Sequence, residues 1–358
     1  MTAMECSSSH VTGFFSPSVH TNHATMQYSF SKPFLNENQK HRLRSLHKRD
    51  NHHGFLSILE NIIWITAAIL ICTNISYWFL LISIIIIGSR QRALASLLHE
   101  AAHGTLFASQ ILNKTIGRAV CGWTILQSFF AYRRSHVLSH HPKIGEKTTD
   151  PDLIYMINEG VYNNQNRARF TLRYLVMPLL GIRTPHYVWF LLRNRLFDNL
   201  INHKHRFETV SLIGIHIILF SLATWIDLIT ELILFWWLPY ITTFATIGWL
   251  SELSEHFPMM TTRNNKPNYC ARNRYAAWFE RLIIGIHGDN YHLTHHLLPG
   301  IPHWNLKKAT NILREDTEFR AWDDSWGGIF SSDITKRVSL ISYIINDHPF
   351  SVSKHHSL

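Results

Sequence analysis

Residues 76–107 read SYWFLLISIIIIGSRQRALASLLHEAAHGTLF, and this stretch decides what kind of protein the chain is. Ser76 to Ile87 is almost wholly apolar, but it falls short of the roughly 20 residues a helix needs to cross a bilayer. It reaches that length only by continuing as a helix through Arg90 and Arg92, whose long side chains can snorkel their charged heads toward water. The continuation, Ala93 to Phe107, carries His99-Glu100-Ala101-Ala102-His103 out of the membrane. An apolar span thus runs into two histidines one helical turn apart, on a shared face.

Three more apolar segments flank this one. Phe55 to Thr73 precedes it, and Thr209 to Trp225 and Leu228 to Leu250 follow, joined by a turn at Asp227. The pattern predicts four transmembrane helices in two hairpins. No Lys or Arg lies between Phe55 and Ser89, or between Phe207 and Thr262. Both hairpin tips therefore lack positive charge, which places both termini, the central segment and the histidines on the cytoplasmic side. Gly117 to Tyr132 is apolar but bracketed by Arg118, Arg133 and Arg134, which suits an interfacial or re-entrant helix. Phe170 to Leu192 is interrupted by Arg173, Pro178, Arg183 and Pro185 and reads as an amphipathic helix lying on the membrane. The expected fold is all-α and polytopic, with a cytoplasmic helical cap. Residues 1–54 are expected to form a cytoplasmic tail, disordered at first and helical near Asn36 to Lys48, 55–311 the membrane catalytic domain, and 312–358 a C-terminal end piece with an amphipathic helix near Trp304 to Arg314 just before it.

Composition agrees with a mixed body. Hydrophobic residues make up 46% and charged residues 16%, while the mean hydropathy of −0.03 leaves room for a sizeable polar cap. The +10 formal charge suits anionic lipid or an acidic protein partner; no basic block interleaved with aromatics points to nucleic acid. Cys6, Cys72, Cys121 and Cys270 are too scattered for a disulfide framework or thiolate metal site.

The 25 histidines are the most unusual count, and spacing separates ligands from the rest. Three clusters stand out: His99 with His103; His136, His140 and His141; and His292, His295 and His296. The first alone is also the zinc-protease signature, with Glu100 as general base. A protease site needs only one further ligand and an open position, and would leave two clusters without a use. So many imidazoles suit two near-octahedral metals, and nitrogen-rich ligation with open positions suits iron that activates oxygen. His216 lies mid-span and is expected to hydrogen-bond another helix rather than bind metal.

The three boxes, in this order and separated by membrane hairpins, resemble the integral-membrane fatty acid desaturase and hydroxylase superfamily. The third, Asn290-Tyr291-His292-Leu293-Thr294-His295-His296-Leu297-Leu298-Pro299-Gly300-Ile301-Pro302, is similar to that family's N-Y-H-x-x-H-H-x-x-P-x-x-P pattern. Tyr132 to His136 and Asp150-Pro151-Asp152 also look like bacterial members, and the resemblance covers roughly Ile58 to Asn311. It implies two non-haem irons in a cytoplasmic cap over four spans, with the metal centre itself as the catalytic group. It further implies a ninth ligand just after the last span, where this chain has His256. Glu252, one turn earlier, stands where some relatives carry Asn and is a candidate to hold a metal-bound water. Glu100, Asp150, Asp289 and Asn290 are the other candidates to support the ligands, as imidazoles bound to metal usually donate their second N–H. His287 and His303, beside the third box, are in reach of the same role.

One departure is visible: the second box is H-x-x-x-H-H, against the common H-x-x-H-H, a widening also similar to alkane hydroxylases. The implied reaction is dioxygen-dependent oxidation of an unactivated C–H bond, foremost desaturation of a fatty-acyl or lipid chain. Hydroxylation or ketone formation, or desaturation of a carotenoid or amino-acid-derived metabolite, stays open at this point, as does the zinc protease. No cytochrome, flavin or dinucleotide motif is present, so a separate ferredoxin- or cytochrome-type donor is expected alongside membrane lipids and a hydrophobic substrate.

Overall fold

The computed structural model describes residues 35–261, 269–334 and 337–347, so the disorder expected before Asn36 falls outside the described residues. The described chain is helical apart from isolated bridges pairing Tyr275 with Gly327 and Trp326 with Val338. Four helices are long and apolar enough to span a membrane: His52–Asn74, Tyr77–His103, Arg206–Trp225 and Ile229–His256. These are the four segments expected, with the second running unbroken from its apolar half into the first histidine box. Gly104, at φ +76°, stops that helix sooner than the expected Phe107, because a left-handed residue ends the ladder and glycine adopts it without strain.

Helix length explains how the spans feed the cap. The 23 and 20 residues of the first and third spans give about 35 and 30 Å, close to the hydrocarbon thickness of about 30 Å. The 27 and 28 residues of the second and fourth give about 40 Å, leaving about two turns outside. Those projecting turns carry His99, His103 and His256. The longer pair also forms the interior of the bundle: 61% and 44% of their most apolar windows are buried, against 22% in each outer span. They touch closely at Gly88, where a Cβ would meet Thr243 at 2.5 Å. Gln91 donates to the Trp236 carbonyl at 2.9 Å and the Trp236 indole donates to the Thr124 carbonyl at 2.9 Å, satisfying polar groups where water is absent.

The central segment packs as broken helices. Gln110 to Ile125 passes from α through π to 3₁₀ geometry, and left-handed Leu126 separates it from Phe129–Tyr132. Arg167–Leu179 and Thr184–Ile201 form two arms bent by 73°, where a single amphipathic helix was expected; Pro178, Gly181 and Pro185 lie at the break. His216 also departs from expectation. Its Nδ1 bonds the Leu212 carbonyl of its own helix at 3.0 Å, and its ring edge meets Trp237 of the fourth span at 5.6 Å. The N-terminal helix Glu37–Ser45 packs against the cap helix His303–Leu313, with Leu43 among Leu306, Ile312 and Phe319.

Candidate metal centre

Each box rides on an element whose local sequence aims it inward. His99 and His103 sit on the last turn of the second span, with ring centroids 4.8 Å apart. The second box lies on a π-helical stretch, Arg133–His140, in which the His141 N–H bonds the His136 carbonyl. In π winding, residues five apart share a face, so His136 and His141 meet with Nε2 atoms 3.2 Å apart. The widened box is thus absorbed by a widened turn. His140 points to the other side. The third box forms the short helix His292–Leu297, and His256 ends the fourth span.

The nine imidazoles gather into two adjoining sets. Ligand atoms of His99, His103, His136 and His141 lie within 4.8 Å of one another, and His295 joins them with its Nε2 3.3 Å from that of His141. His140, His256 and His296 form the second group, and His292 closes it, its Nε2 3.0 Å from those of both His256 and His296. The sets abut where the rings of His141 and His296 stack at 4.3 Å.

This arrangement fits a pair of cations. Burial first, then the neighbouring imidazoles, push His136, His141, His292 and His296 well below the usual histidine range; burial takes His295 down to about 3. Neutral rings that face one another through Nε2 cannot all donate. The Nε2 atoms of His99, His103 and His140 are buried without a hydrogen-bond partner. A buried polar atom left so costs about 1–3 kcal/mol, and a metal ion is what several converging lone pairs can share.

The opposite ring nitrogens are held by the surrounding shell. His140 Nδ1 meets Asp150 at 2.8 Å and Asp152 at 3.4 Å. Burial works against charge on His140, yet these carboxylates outweigh it and hold its pKa up at about 9. Asp150 also accepts from the N–H groups of Asp152, Leu153 and Gly145, so the cap of helix Pro151–Asn158 and the support of His140 are one group. The Cys270 carbonyl accepts from His256 Nδ1 at 3.0 Å, and Glu255 lies 3.5 Å from His292 Nδ1.

Glu100 stands behind the rings. Its Oε1 is 4.0 Å from the Nδ1 atoms of His99 and His295, while Oε2 accepts from Thr105 and the His303 backbone N–H. Asp289 accepts from Arg92, Ser96 and Arg274 rather than from an imidazole among the described residues, and Arg274 in turn pairs with Glu255 at 2.9 Å. Asn290 donates to the Arg274 carbonyl at 3.4 Å. Glu252 lies one turn before His256, near Asp152, Arg195 and His140. His303 bonds Ser57 at 2.9 Å and His287 bonds Asn61 at 3.0 Å, tying the third-box region to the first span.

Residues 75–325 match the family model described as fatty acid desaturase. The chain belongs to the fatty acid desaturase family. That membership carries non-haem di-iron chemistry, and closes the protease reading of His99 and His103. The desaturase is 35% identical over 304 residues to dihydrorhizobitoxine desaturase of Bradyrhizobium elkanii, covering 82% of this chain and 85% of that one. It is 25% identical over 282 residues to an endoplasmic-reticulum omega-3 fatty acid desaturase of Nicotiana tabacum, covering 72% and 71%. It is also 26% identical over 255 residues to a Synechocystis sn-1 acyl-lipid omega-3 desaturase (ferredoxin), covering 65% and 68%.

Asp152, Glu255 and Glu208 are supporting residues that sequence reading did not single out. Glu208 opens the third span and accepts from Ser128, the Phe129 and Phe130 N–H groups and the Trp123 indole, anchoring the helix that leads into the second box. The Asp150-Pro151-Asp152 run held a signal for Asp152, because both acids flank one helix start.

Proposed function

We propose that the desaturase uses two irons, held by His99, His103, His136, His141 and His295 on one side and by His140, His256, His292 and His296 on the other, to introduce a double bond into an aliphatic chain. The observation that carries this reading is the convergence of nine imidazoles, seven of them buried, on two adjoining points. When bound, such irons supply the activation of dioxygen needed to take hydrogen from an unactivated C–H bond. The protein's part is to fix the ligands through Asp150, Asp152, Glu255 and Glu100, and to exclude water. The charge partition supports a cytoplasmic metal centre and cytoplasmic termini. An external one-electron donor of the ferredoxin kind completes the scheme, as the name of the Synechocystis relative says of that protein.

A groove of about 560 Å³ supports a substrate with a polar end. Tyr155 and Phe190, stacked at 4.0 Å, contribute apolar lining, and Asn158, His186, Arg193 and Asn194 line it with polar groups. One wall is the helix whose first residues, Asp150 and Asp152, hold the second box. A fatty-acyl chain in lipid is the leading substrate. The Bradyrhizobium relative, matched over 85% of its length and named for dihydrorhizobitoxine, favours a smaller specialised metabolite as the second reading. Expression in a host, followed by mass spectrometry of lipids and polar metabolites against a His295→Ala variant, decides. A lipid or metabolite lighter by two hydrogens, formed only with wild type, is the expected result. A product heavier by one oxygen contradicts desaturation, and no difference between the two proteins contradicts the reading altogether.

A further inference from the structure

A double bond takes two electrons from the substrate, whereas dioxygen takes four to become two waters. Two electrons and two protons must therefore come from outside, and this inference rests on the desaturase reading above. The cap helix His303–Leu313 offers a place for the electrons to enter. Trp304, Lys307 and Lys308 share its outer face, three and four residues apart, while Leu306, Ala309 and Leu313 face the core. Asn305 donates to the Leu46 carbonyl at 3.0 Å, pinning the turn after the N-terminal helix against this one. Arg44 and Lys48 therefore border the same region. All four basic side chains are exposed, and among the described residues none forms an ion pair.

Trp304 is also the outer end of a line of contacts running inward. Its ring lies 5.0 Å from that of His303, and it stacks on His53 at 4.6 Å. The His303 N–H donates to Glu100 at 3.0 Å, and Glu100 lies 4.0 Å from the Nδ1 atoms of His99 and His295. A partly exposed aromatic ring inside a basic frame is thus linked, through one buried carboxylate, to two members of the first histidine set.

We propose that this face, centred on Trp304 and framed by Lys307, Lys308, Arg44 and Lys48, is the docking surface for a small acidic one-electron carrier protein, with Trp304, His303 and Glu100 as the inward route. In each encounter the carrier's iron–sulfur cluster is oxidised by one electron and the histidine-held metal site is reduced by one, so two encounters serve each double bond. Charge complementarity favours such a carrier, because a rim of unpaired cations raises the encounter rate with an acidic partner and makes it salt-dependent.

The test uses the full-length, iron-loaded protein in nanodiscs of neutral lipid, with a plant-type [2Fe–2S] ferredoxin as probe. Binding is measured by surface plasmon resonance, and reoxidation of reduced ferredoxin by stopped flow in the presence of substrate. The Lys307→Glu, Lys308→Glu double variant is expected to weaken ferredoxin binding about tenfold or more and to flatten its salt dependence. Trp304→Leu is expected to bind ferredoxin within about twofold of wild type yet slow its reoxidation, and Trp304→Phe to restore part of the rate. A single turnover, started by admitting dioxygen to protein reduced beforehand with one equivalent of dithionite per metal pair, should stay unchanged in the lysine double variant. Equal ferredoxin affinity in the lysine variant and wild type would overturn the docking surface, and an equal loss with ferredoxin and dithionite in Trp304→Leu would overturn the route. The binding arm needs no turnover, so a wild-type protein inactive with dithionite sinks the desaturase reading separately.

Discussion

His140 and Asp150 show how much of the site rests on single contacts. The Nδ1–Asp150 contact of 2.8 Å fixes the orientation of the ring and leaves Nε2 aimed at the second histidine set. Asp150→Asn keeps the side-chain shape but removes the charge that orients the ring. Metal affinity is expected to fall about 10–100-fold, as losses in such supporting contacts usually do. Iron retained per chain during dialysis against a graded chelator series checks this; wild-type retention by the variant would refute it. His216 supplies the contrast, because it bonds its own helix and only brushes Trp237. His216→Phe should leave iron content and product formation unchanged. Ligand candidates were legible in the chain because imidazoles three to five apart mark one face. Glu255 and Arg274 were not, since their value comes from a tertiary contact with His292 and Asp289 that no spacing announces.

Among the elements, the π-helical turn of the second box carries the clearest consequence. The box is one residue longer than the family's common form, and the His141 N–H to His136 carbonyl bond takes up that residue. Deleting Leu138, which is exposed, should return the turn to α geometry and make His136 and His141 neighbours four apart. Iron binding by this shortened protein is expected to survive, whereas inserting an alanine between His99 and His103 should abolish it; iron analysis of both proteins decides. The interior spans impose a second constraint, since Gly88 leaves no room for a Cβ beside Thr243 and Phe244. Gly88→Val should destabilise by about 1–3 kcal/mol, the usual cost of overpacking, read as a lowered melting midpoint in detergent. The four spans were readable from hydropathy and from the basic residues confined to one side. The bend at Gly181 and the breaks around Leu126 were not, because proline and arginine announce an interruption without giving its angle.

For the molecule as a whole, the cap sets a cluster of histidines on a membrane bundle, most of them held neutral by burial, and acid should undo it. His136, His141, His292, His295 and His296 all titrate below the unfolded value of 6.5, His295 at about 3. Below that unfolded value the unfolded chain binds protons that the native chain refuses, so stability rises with pH there. The contribution of these five histidines is complete above about pH 6.5 and is lost progressively as pH falls toward 3, whereas that of His140 is complete below 6.5 and is lost as pH rises through about 9. Thermal melts of chelator-treated protein should fall steeply from pH 6.5 to 5; a flat profile would contradict this. The central claim, two irons held five and four by nine histidines, is tested most directly by anomalous diffraction at the iron edge. The account predicts two adjacent peaks, one among His99, His103, His136, His141 and His295, the other among His140, His256, His292 and His296. A single peak, or scattering at the zinc edge instead, would contradict it.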